Sequence, residues 1–416
     1  MNFKSIHRQD FFPYGILFFL FVWSFYSKFL PYGIGIMTLA WLVGGYYNGF
    51  WKKAKTSVML WLLAGFLFWH AVSILYHQNY AQGLSEFNTK ISFAVLPIIL
   101  LGMSDIFERM KTKIFAWFIA GNFISAILIL VLAIKKNVSY TSGKWLVNYE
   151  VFPHLKLSFF EAIDQRYSFF ASNELSRWTH PTYYAIIIVF SMYLLVTWFW
   201  DRNKSVLART VITLILLYFS LIIFLLQSRT GFMVSGLAGG LFLVQWLSKY
   251  YDIRRPVYLF IVVIIIGSIS VFLLNPKIIT GKVQTFDPRL NMWQAAGEVM
   301  HKNLFFGVGT GNLKDVLGAT EYFKVLNAPE KYDAHNQYLE TCSEVGIPAL
   351  LFLLGAIGLA FYKAIKQANH WLFAVLAIAC TAFFFESYVE RINGIFFFVF
   401  FMLFFYWGDK KQAINR

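Results

Sequence analysis

Residues 114–134 read IFAWFIAGNFISAILILVLAI, and none of these 21 residues carries a charge. A helix needs about 20 mostly apolar residues to cross the hydrocarbon core of a bilayer, so this stretch predicts a transmembrane helix. Comparable runs lie near residues 12–30, 32–50, 56–76, 87–103, 179–200, 206–226, 230–247, 256–274, 346–365, 371–388 and 393–408. The sequence therefore predicts an all-α integral membrane protein with about twelve transmembrane helices, in which residues 1–416 form a single polytopic domain.

The overall composition supports this interpretation. Hydrophobic residues make up 58% of the chain and charged residues only 14%, against about 25% charged residues in soluble domains. A net charge of +15 would suggest a nucleic-acid ligand in a soluble protein. Here the basic residues lie mostly in short loops between apolar runs, which is typical of membrane topology, so we expect no nucleic-acid partner.

The distribution of lysine and arginine predicts the orientation of the chain. Basic residues are concentrated in alternate loops, and such loops face the cytoplasm. With an even number of spans, both termini are cytoplasmic. Two long segments then lie on the opposite face of the membrane. They are a first loop at 135–178 and a larger, partly helical loop at 275–345, between spans nine and ten.

Two arginines are candidate site residues, and each has a simpler alternative. Arg229 lies in QSRTG, residues 227–231, between two apolar runs, and an ionisable group at a membrane boundary is a functional candidate. The alternative is an arginine that only reaches the lipid headgroups. Arg289 follows a helix start predicted at Asp287, and Trp293 shares its helix face. The alternative there is a surface arginine stacked on an aromatic ring.

His335 is the candidate base. It opens the stretch HNQYL at 335–339, and we predict a helix that starts at Asp333 and holds His335 in its first turn. The positive end of the helix dipole disfavours imidazolium, which would keep the ring neutral and able to accept a proton. The alternative is a histidine that only forms hydrogen bonds within the loop.

Other polar motifs are interpreted as structural. The glycine-rich run at 307–311 resembles a phosphate loop only superficially, because no βαβ unit surrounds it, and a structural turn is favoured. Glu386, Glu390 and Arg391 form a small charged cluster at the outer end of a span, for which a structural salt-bridge group is favoured over the alternative of a catalytic role. The sequence contains no HExxH motif, no P-loop and no acidic DxD pair in an outer loop. It therefore predicts neither a metal site nor a cofactor.

The two arginines and the histidine, on the outer face of the membrane, together indicate transfer of a group from a lipid-linked donor. The outer face of a cytoplasmic membrane lacks nucleotide-activated substrates, so an enzyme there needs a donor delivered through the membrane, such as a lipid-linked one. Arginine side chains can neutralise the pyrophosphate of such a donor in place of a metal ion. A neutral histidine can take the proton from an attacking hydroxyl group, because its pKa lies near working pH.

The order of the motifs resembles the O-antigen ligase / O-antigen polymerase superfamily of bacterial inner-membrane glycosyltransferases. An SRTG arginine between two spans is followed by R-x-x-x-W, then by GVGTGN, and then by HNQYLETCSEVG leading into a span. The residue-level match lies mainly in 227–349, with a weaker match at ESYVERING, residues 386–394, and the histidine motif is its most specific part. The resemblance implies a GT-C-like fold and metal-independent transfer of a glycan, with inversion, from undecaprenyl pyrophosphate on the periplasmic face.

Motif matching also implies roles for individual residues. Arg229 and Arg289 would bind the pyrophosphate of the donor, and His335 would be the general base. The supporting residues that the resemblance implies are Asn336, Tyr338, Glu344 and Trp293.

The acceptor stays open at this point. A ligase, which is the preferred interpretation, would use a lipid A–core sugar, whereas a repeat-unit polymerase of the same superfamily would use another repeat unit. A transporter or flippase is the alternative from another class, but the chain lacks the internal repeats and paired broken helices that are common in transporters. Membrane lipid is an expected partner in each case.

Overall fold

A computed structural model describes residues 8–76, 80–248, 289–321 and 332–408, and helices are numbered here in chain order over those residues. They are α1 (Phe11–Val22), α2 (Leu30–Val43), α3 (Phe50–Ala54), α4 (Val58–Ile74), α5 (Tyr80–Lys90), α6 (Ser92–Leu100), α7 (Ser104–Asn137), α8 (Phe159–Asp164), α9 (Ser172–Leu175), α10 (Pro181–Leu194), α11 (Val206–Leu226), α12 (Arg229–Leu247), α13 (Arg289–Lys302), α14 (Leu313–Gly318), α15 (Gln337–Lys366), α16 (His370–Phe385) and α17 (Ile392–Gly408). The strands β1 (Val138–Thr141) and β2 (Lys144–Val147) form an antiparallel hairpin. Shorter elements are the 3-10 helices Arg8–Asp10, Ser27–Phe29, Pro153–Leu155 and Tyr388–Glu390 and the π-helix Leu195–Trp200. The span predicted at 256–274 and the helix start predicted at Asp287 lie outside the described residues.

Within the described ranges, five helices are long and apolar enough to cross a membrane. They are Ser104–Asn137, Pro181–Trp200, Val206–Leu226, Arg229–Leu247 and Gln337–Lys366. Shorter apolar helices are Phe11–Val22, Ser27–Val43, Val58–Ile74, His370–Phe385 and Ile392–Gly408. Each overlaps an apolar run identified in the sequence. The chain is therefore a mostly helical membrane protein, in agreement with the predicted fold class, while the count of twelve spans and the GT-C-like arrangement stay predictions.

The apolar run at 87–103 does not form the single helix that the sequence predicts. Helices α5 and α6 are separated at Ile91, and the nine residues of α6 extend only about 14 Å at 1.5 Å per residue. Helix α5 is polar and reads YAQGLSEFNTK. Its last residue, Lys90, is fully buried and bonded to Glu390. A buried charge is costly without its partner, and this pairing coincides with the break between the two helices.

The chain divides into two compact units, Met1–Gly45 with Arg109–Pro256 and Tyr46–Glu108 with Val257–Arg416. In the first unit, α10 packs against α11 and α12. A Cβ atom on Gly231 would lie 2.6 Å from the Cβ of Ala185, whereas one on Gly239 would meet nothing within 4 Å. Helix α12 therefore packs closely against α10 at Gly231.

In the second unit, α15 packs against α4 and α16, α16 packs against α17, and α17 packs against α6. Helix α17 reads INGIFFFVFFMLFFYWG, and its phenylalanines are buried. A helix that is apolar on all sides is stable only when protein or lipid surrounds it. Here neighbouring helices surround it, so α17 lies in the core of this unit.

Helix α15 is interrupted where the loop before α14 meets it. Gly346 has φ 78° and ψ −177°, and Pro348 has no N–H with which to bond the carbonyl of Glu344 four residues earlier. That carbonyl instead accepts a hydrogen bond of 2.7 Å from the N–H of Gly309. The N–H of Ile347 donates to the carbonyl of Leu304 at 3.0 Å. The loop therefore satisfies backbone groups that the kink leaves without helical partners.

Replacing Gly346 by alanine tests this docking. The new Cβ would lie 2.0 Å from the carbonyl oxygen of Phe305, and the backbone conformation of Gly346 is one that essentially only glycine adopts, so we expect a loss of at least about 2 kcal/mol of stability. Gly358→Ala is the control, because it lies in the same helix and its Cβ would meet nothing within 4 Å. Thermal unfolding in detergent should show a lower Tm for Gly346→Ala alone. Equal Tm values for the two variants would contradict the docking.

Candidate active site

Helix α13 positions Arg289 and Trp293. Its apolar face, which includes the buried residues Met292, Ala295, Ala296 and Val299, packs against α15. Arg289 is the first residue of α13, and its Nη2 donates to Oε1 of Glu386 at 2.9 Å. The indole N–H of Trp293 donates to the backbone carbonyl of His335 at 3.4 Å. Arg289 and Trp293, which are predicted to share a helix face, thus bind two residues that lie close together, Glu386 and His335.

His335 lies before α15 and not in its first turn. The helix predicted to start at Asp333 begins at Gln337, because Asn336 is its N-cap: the Oδ1 of Asn336 accepts hydrogen bonds from the N–H groups of Tyr338 at 3.0 Å and Leu339 at 3.1 Å. His335 has a φ of 48°. With this backbone geometry, the ring of His335 lies beside two carboxylates and not within the first turn of α15.

Two carboxylates flank the imidazole ring. The Nδ1 of His335 lies 3.0 Å from Oε2 of Glu386, and its Nε2 lies 3.7 Å from Oδ1 of Asp333. The side chain of His335 is 25% exposed and that of Glu386 is 5% exposed. The ring is therefore accessible from one side while its Nδ1 edge faces a buried acid.

Glu386 joins the two candidate residues. One of its oxygens accepts the hydrogen bond from Arg289, and the other contacts His335. It follows directly after α16 in an extended conformation, with φ −145° and ψ 147°. The sequence favours a structural salt-bridge role for Glu386 over a catalytic one. The available signal in the sequence was an acid at the end of an apolar run, on the same predicted side of the membrane as His335.

The electrostatic environment of His335 differs from the expectation. Burial alone would lower its pKa, but the hydrogen bond to Glu386 and the charges of Asp333 and Glu386 outweigh burial and raise the pKa, against a smaller opposing effect of Arg289. Neighbouring carboxylates stabilise imidazolium, as expected for opposite charges within a few ångströms. The prediction that a helix dipole keeps this ring neutral is therefore wrong.

Asn336 and Tyr338 connect the start of α15 to α16. The Nδ2 of Asn336 donates to the carbonyl of Phe384 at 3.1 Å, and the hydroxyl of Tyr338 donates to the carbonyl of Cys380 at 3.4 Å. Phe384 lies two residues before Glu386. These bonds connect the segment that carries His335 to the segment that carries Glu386.

Glu344 holds the glycine-rich loop. Its Oε1 accepts a hydrogen bond of 2.7 Å from the N–H of Gly311, in addition to the bond of its backbone carbonyl to Gly309. Gly307, Gly309 and Gly311 have φ values of 65°, 98° and 85°, which favour glycine. The run is thus a structural turn, as the sequence predicts.

A buried ion pair lies behind this turn. Lys90 bonds Glu390, and its Nζ lies 3.6 Å from Oε2 of Glu344. Burial alone would raise the pKa of Glu390, but Lys90 outweighs burial and lowers it. Glu390 also accepts a hydrogen bond of 3.1 Å from Gln337, the first residue of α15. The pair therefore supports the helix start that follows His335.

Arg229 belongs to the first unit. It is the first residue of α12 and is exposed. Ser228 caps this helix by accepting a hydrogen bond of 3.0 Å from the N–H of Gly231. Gln227, with φ 49°, makes the turn from α11. Because Arg289 and His335 belong to the second unit, convergence of Arg229 with them stays a prediction.

Across the part of the chain that the structure describes, no group of three or more His, Cys, Asp or Glu side chains is arranged to hold a metal ion.

The apolar helices define a membrane protein, and its second unit carries a histidine–carboxylate–arginine cluster. A family model described as O-antigen ligase matches residues 214–354. This match confirms the resemblance to the O-antigen ligase superfamily and supports a ligase- or polymerase-type membrane enzyme with glycosyltransferase-like activity. The matched segment contains all the site residues named from the sequence, whereas Glu386 and Lys90 lie outside it. No curated protein matches the chain.

Proposed function

We propose that this protein is an O-antigen ligase-type glycosyltransferase of the bacterial inner membrane. It would move a glycan from undecaprenyl pyrophosphate to a sugar hydroxyl of lipid A–core on the periplasmic face, without a metal ion or other cofactor. The observation that carries the proposal is the contact of Glu386 with both His335 and Arg289. This contact brings the proposed base, His335, and the proposed phosphate-binding residue, Arg289, to one carboxylate. The family match to an O-antigen ligase supports the same interpretation.

His335 is assigned the proton transfer. With Nδ1 held by Glu386, the Nε2 atom is the one that accepts the proton of the acceptor hydroxyl, as in other histidine–carboxylate pairs. The acceptor oxygen then forms a bond to the anomeric carbon while the bond from that carbon to the pyrophosphate oxygen breaks. A single displacement of this kind inverts the anomeric configuration. The carboxylates of Glu386 and Asp333 stabilise the imidazolium that results.

Arg289 is assigned to the leaving group. A guanidinium has five N–H donors in a fixed plane, so it can hold Glu386 and a phosphate oxygen together. Its bond to the buried Glu386 fixes the orientation of the guanidinium plane. Arg229 is proposed as the second pyrophosphate ligand, and Trp293, Asn336, Tyr338 and Glu344 as residues that keep His335 and the glycine-rich loop in place.

Replacing His335 by alanine tests the assignment of the base. We expect transfer to fall by about 10²–10⁴-fold, the usual contribution of a general base, while binding of undecaprenyl-pyrophosphate glycan is retained. His301→Ala is a matched control, because His301 is exposed in the last turn of the neighbouring α13. Transfer to purified lipid A–core and donor binding are measured on the same preparations. Full transfer by His335→Ala protein would refute the assignment.

The alternative is a repeat-unit polymerase, which would use the same chemistry with a different acceptor. A deletion strain separates the two functions. For a ligase we expect lipid A–core without attached polymer, together with polymer that accumulates on undecaprenyl pyrophosphate. Single repeat units attached to lipid A–core would instead indicate that a polymerase had been lost. The two outcomes are distinguished by gel analysis of lipopolysaccharide and of extracted undecaprenyl-linked glycans.

A further inference from the structure

The hairpin formed by β1 and β2 has one aromatic face. The strands pair Val138 with Val147 and Tyr140 with Trp145, and directly opposed residues of an antiparallel pair lie on the same face. The rings of Tyr140 and Trp145 are in contact, with centroids 5.1 Å apart. Tyr140 is 62% exposed and Trp145 is 72% exposed. The hairpin therefore exposes a large aromatic face, while the opposite face, which includes Leu146, is exposed as well.

The turn and the stem of the hairpin are well defined. Ser142 and Gly143 have φ values of 54° and 78°, which is the backbone pattern of a two-residue type I′ turn. At the stem, the N–H of Asn148 donates to the carbonyl of Asn137 at 2.7 Å. Asn137 is the last residue of α7, and its side chain donates to the carbonyl of Ala133 at 2.9 Å. The hairpin is thus attached directly to the end of that helix.

The end of α7 locates the hairpin relative to the membrane. The uncharged run of this candidate span ends at Ile134, and β1 begins at Val138. Only three residues lie between these positions, so the hairpin must lie at the boundary of the hydrocarbon core. Tryptophan and tyrosine are the residues enriched at that boundary, because their rings prefer it and their polar atoms reach water.

The charge of this segment selects the type of lipid. Residues 135–148 contain Lys135, Lys136 and Lys144 and no acidic residue. Lysines close to a membrane surface are attracted to anionic headgroups. A two-stranded hairpin is also only marginally stable by itself in water, so contact of its aromatic face with lipid would stabilise it.

We propose that the hairpin Val138–Val147 is a lipid-binding surface that places Tyr140 and Trp145 in the headgroup region of a membrane containing anionic phospholipid. This function is independent of glycosyl transfer. It fixes the depth of α7 in the bilayer and the position of the first loop, 135–178, above it.

Spin labels on the two faces of the hairpin test the proposal. The full-length protein, with Cys342 and Cys380 replaced by alanine, is labelled either at Trp145→Cys on the aromatic face or at Leu146→Cys on the opposite face. It is then placed in nanodiscs of phosphatidylcholine, alone or mixed with phosphatidylglycerol. We expect the ratio of oxygen to water-soluble nickel accessibility to be several-fold higher at 145 than at 146. Phosphatidylglycerol should increase this difference, and Lys144→Gln should reduce the increase.

A second pair of labels guards against local unfolding by the loss of Trp145. Tyr140→Cys and Ser139→Cys lie on the aromatic and the opposite face and leave Trp145 intact, so they should repeat the pattern. Equal water accessibility on both faces in both lipid mixtures would overturn the proposal. Protection of the label at 145 only after addition of lipid A-type glycolipid would also overturn it, because the surface would then bind the acceptor instead of the membrane.

Discussion

A carboxylate that is removed from water must be neutralised, and Glu386 is held by two groups at once. Arg289 binds one of its oxygens at 2.9 Å and His335 contacts the other at 3.0 Å. Arg289 is carried by α13, His335 precedes α15 and Glu386 follows α16, so this single acid fixes three separate parts of the chain. Truncating any one of the three leaves a charge or a buried polar group without its partner, which is costly.

The backbone around Gly346 explains why these parts reach one another. Pro348 removes one helical hydrogen bond from α15, and the glycine-rich loop supplies the missing donor through Gly309. The same loop follows α13, so its docking brings α13 against α15. Behind it, Lys90 and Glu390 form a fully enclosed ion pair that reaches Gln337 at the start of α15. Buried polar groups that are paired with one another therefore support the residues of the proposed active site.

The helices were largely predictable, because a bilayer imposes a length of about 20 apolar residues on each span. The run at 87–103 departs from this rule. It breaks beside Lys90, which is paired with a residue 300 positions away, and no local pattern reports such a contact. Motif order predicts Arg289, His335 and Glu344 as site residues, and the structure brings Arg289 and His335 to one carboxylate. Glu386 was missed as a site residue because its partners are 51 and 97 positions away, and the raised pKa of His335 was missed for the same reason.

In the proposed mechanism, Glu386 sets the proton affinity of His335, which must be neutral to act as the base. Activity should then fall as the pH drops below the pKa of His335, which Glu386 raises. The most direct test is the pH dependence of kcat/KM for wild-type protein and for Glu386→Gln. Loss of the carboxylate removes the hydrogen bond and the charge through which Glu386 raises the pKa of His335 and leaves burial opposed by Asp333, so we expect an acidic limb at lower pH, together with a reduced maximal rate. An acidic limb at the same pH in both proteins would contradict it.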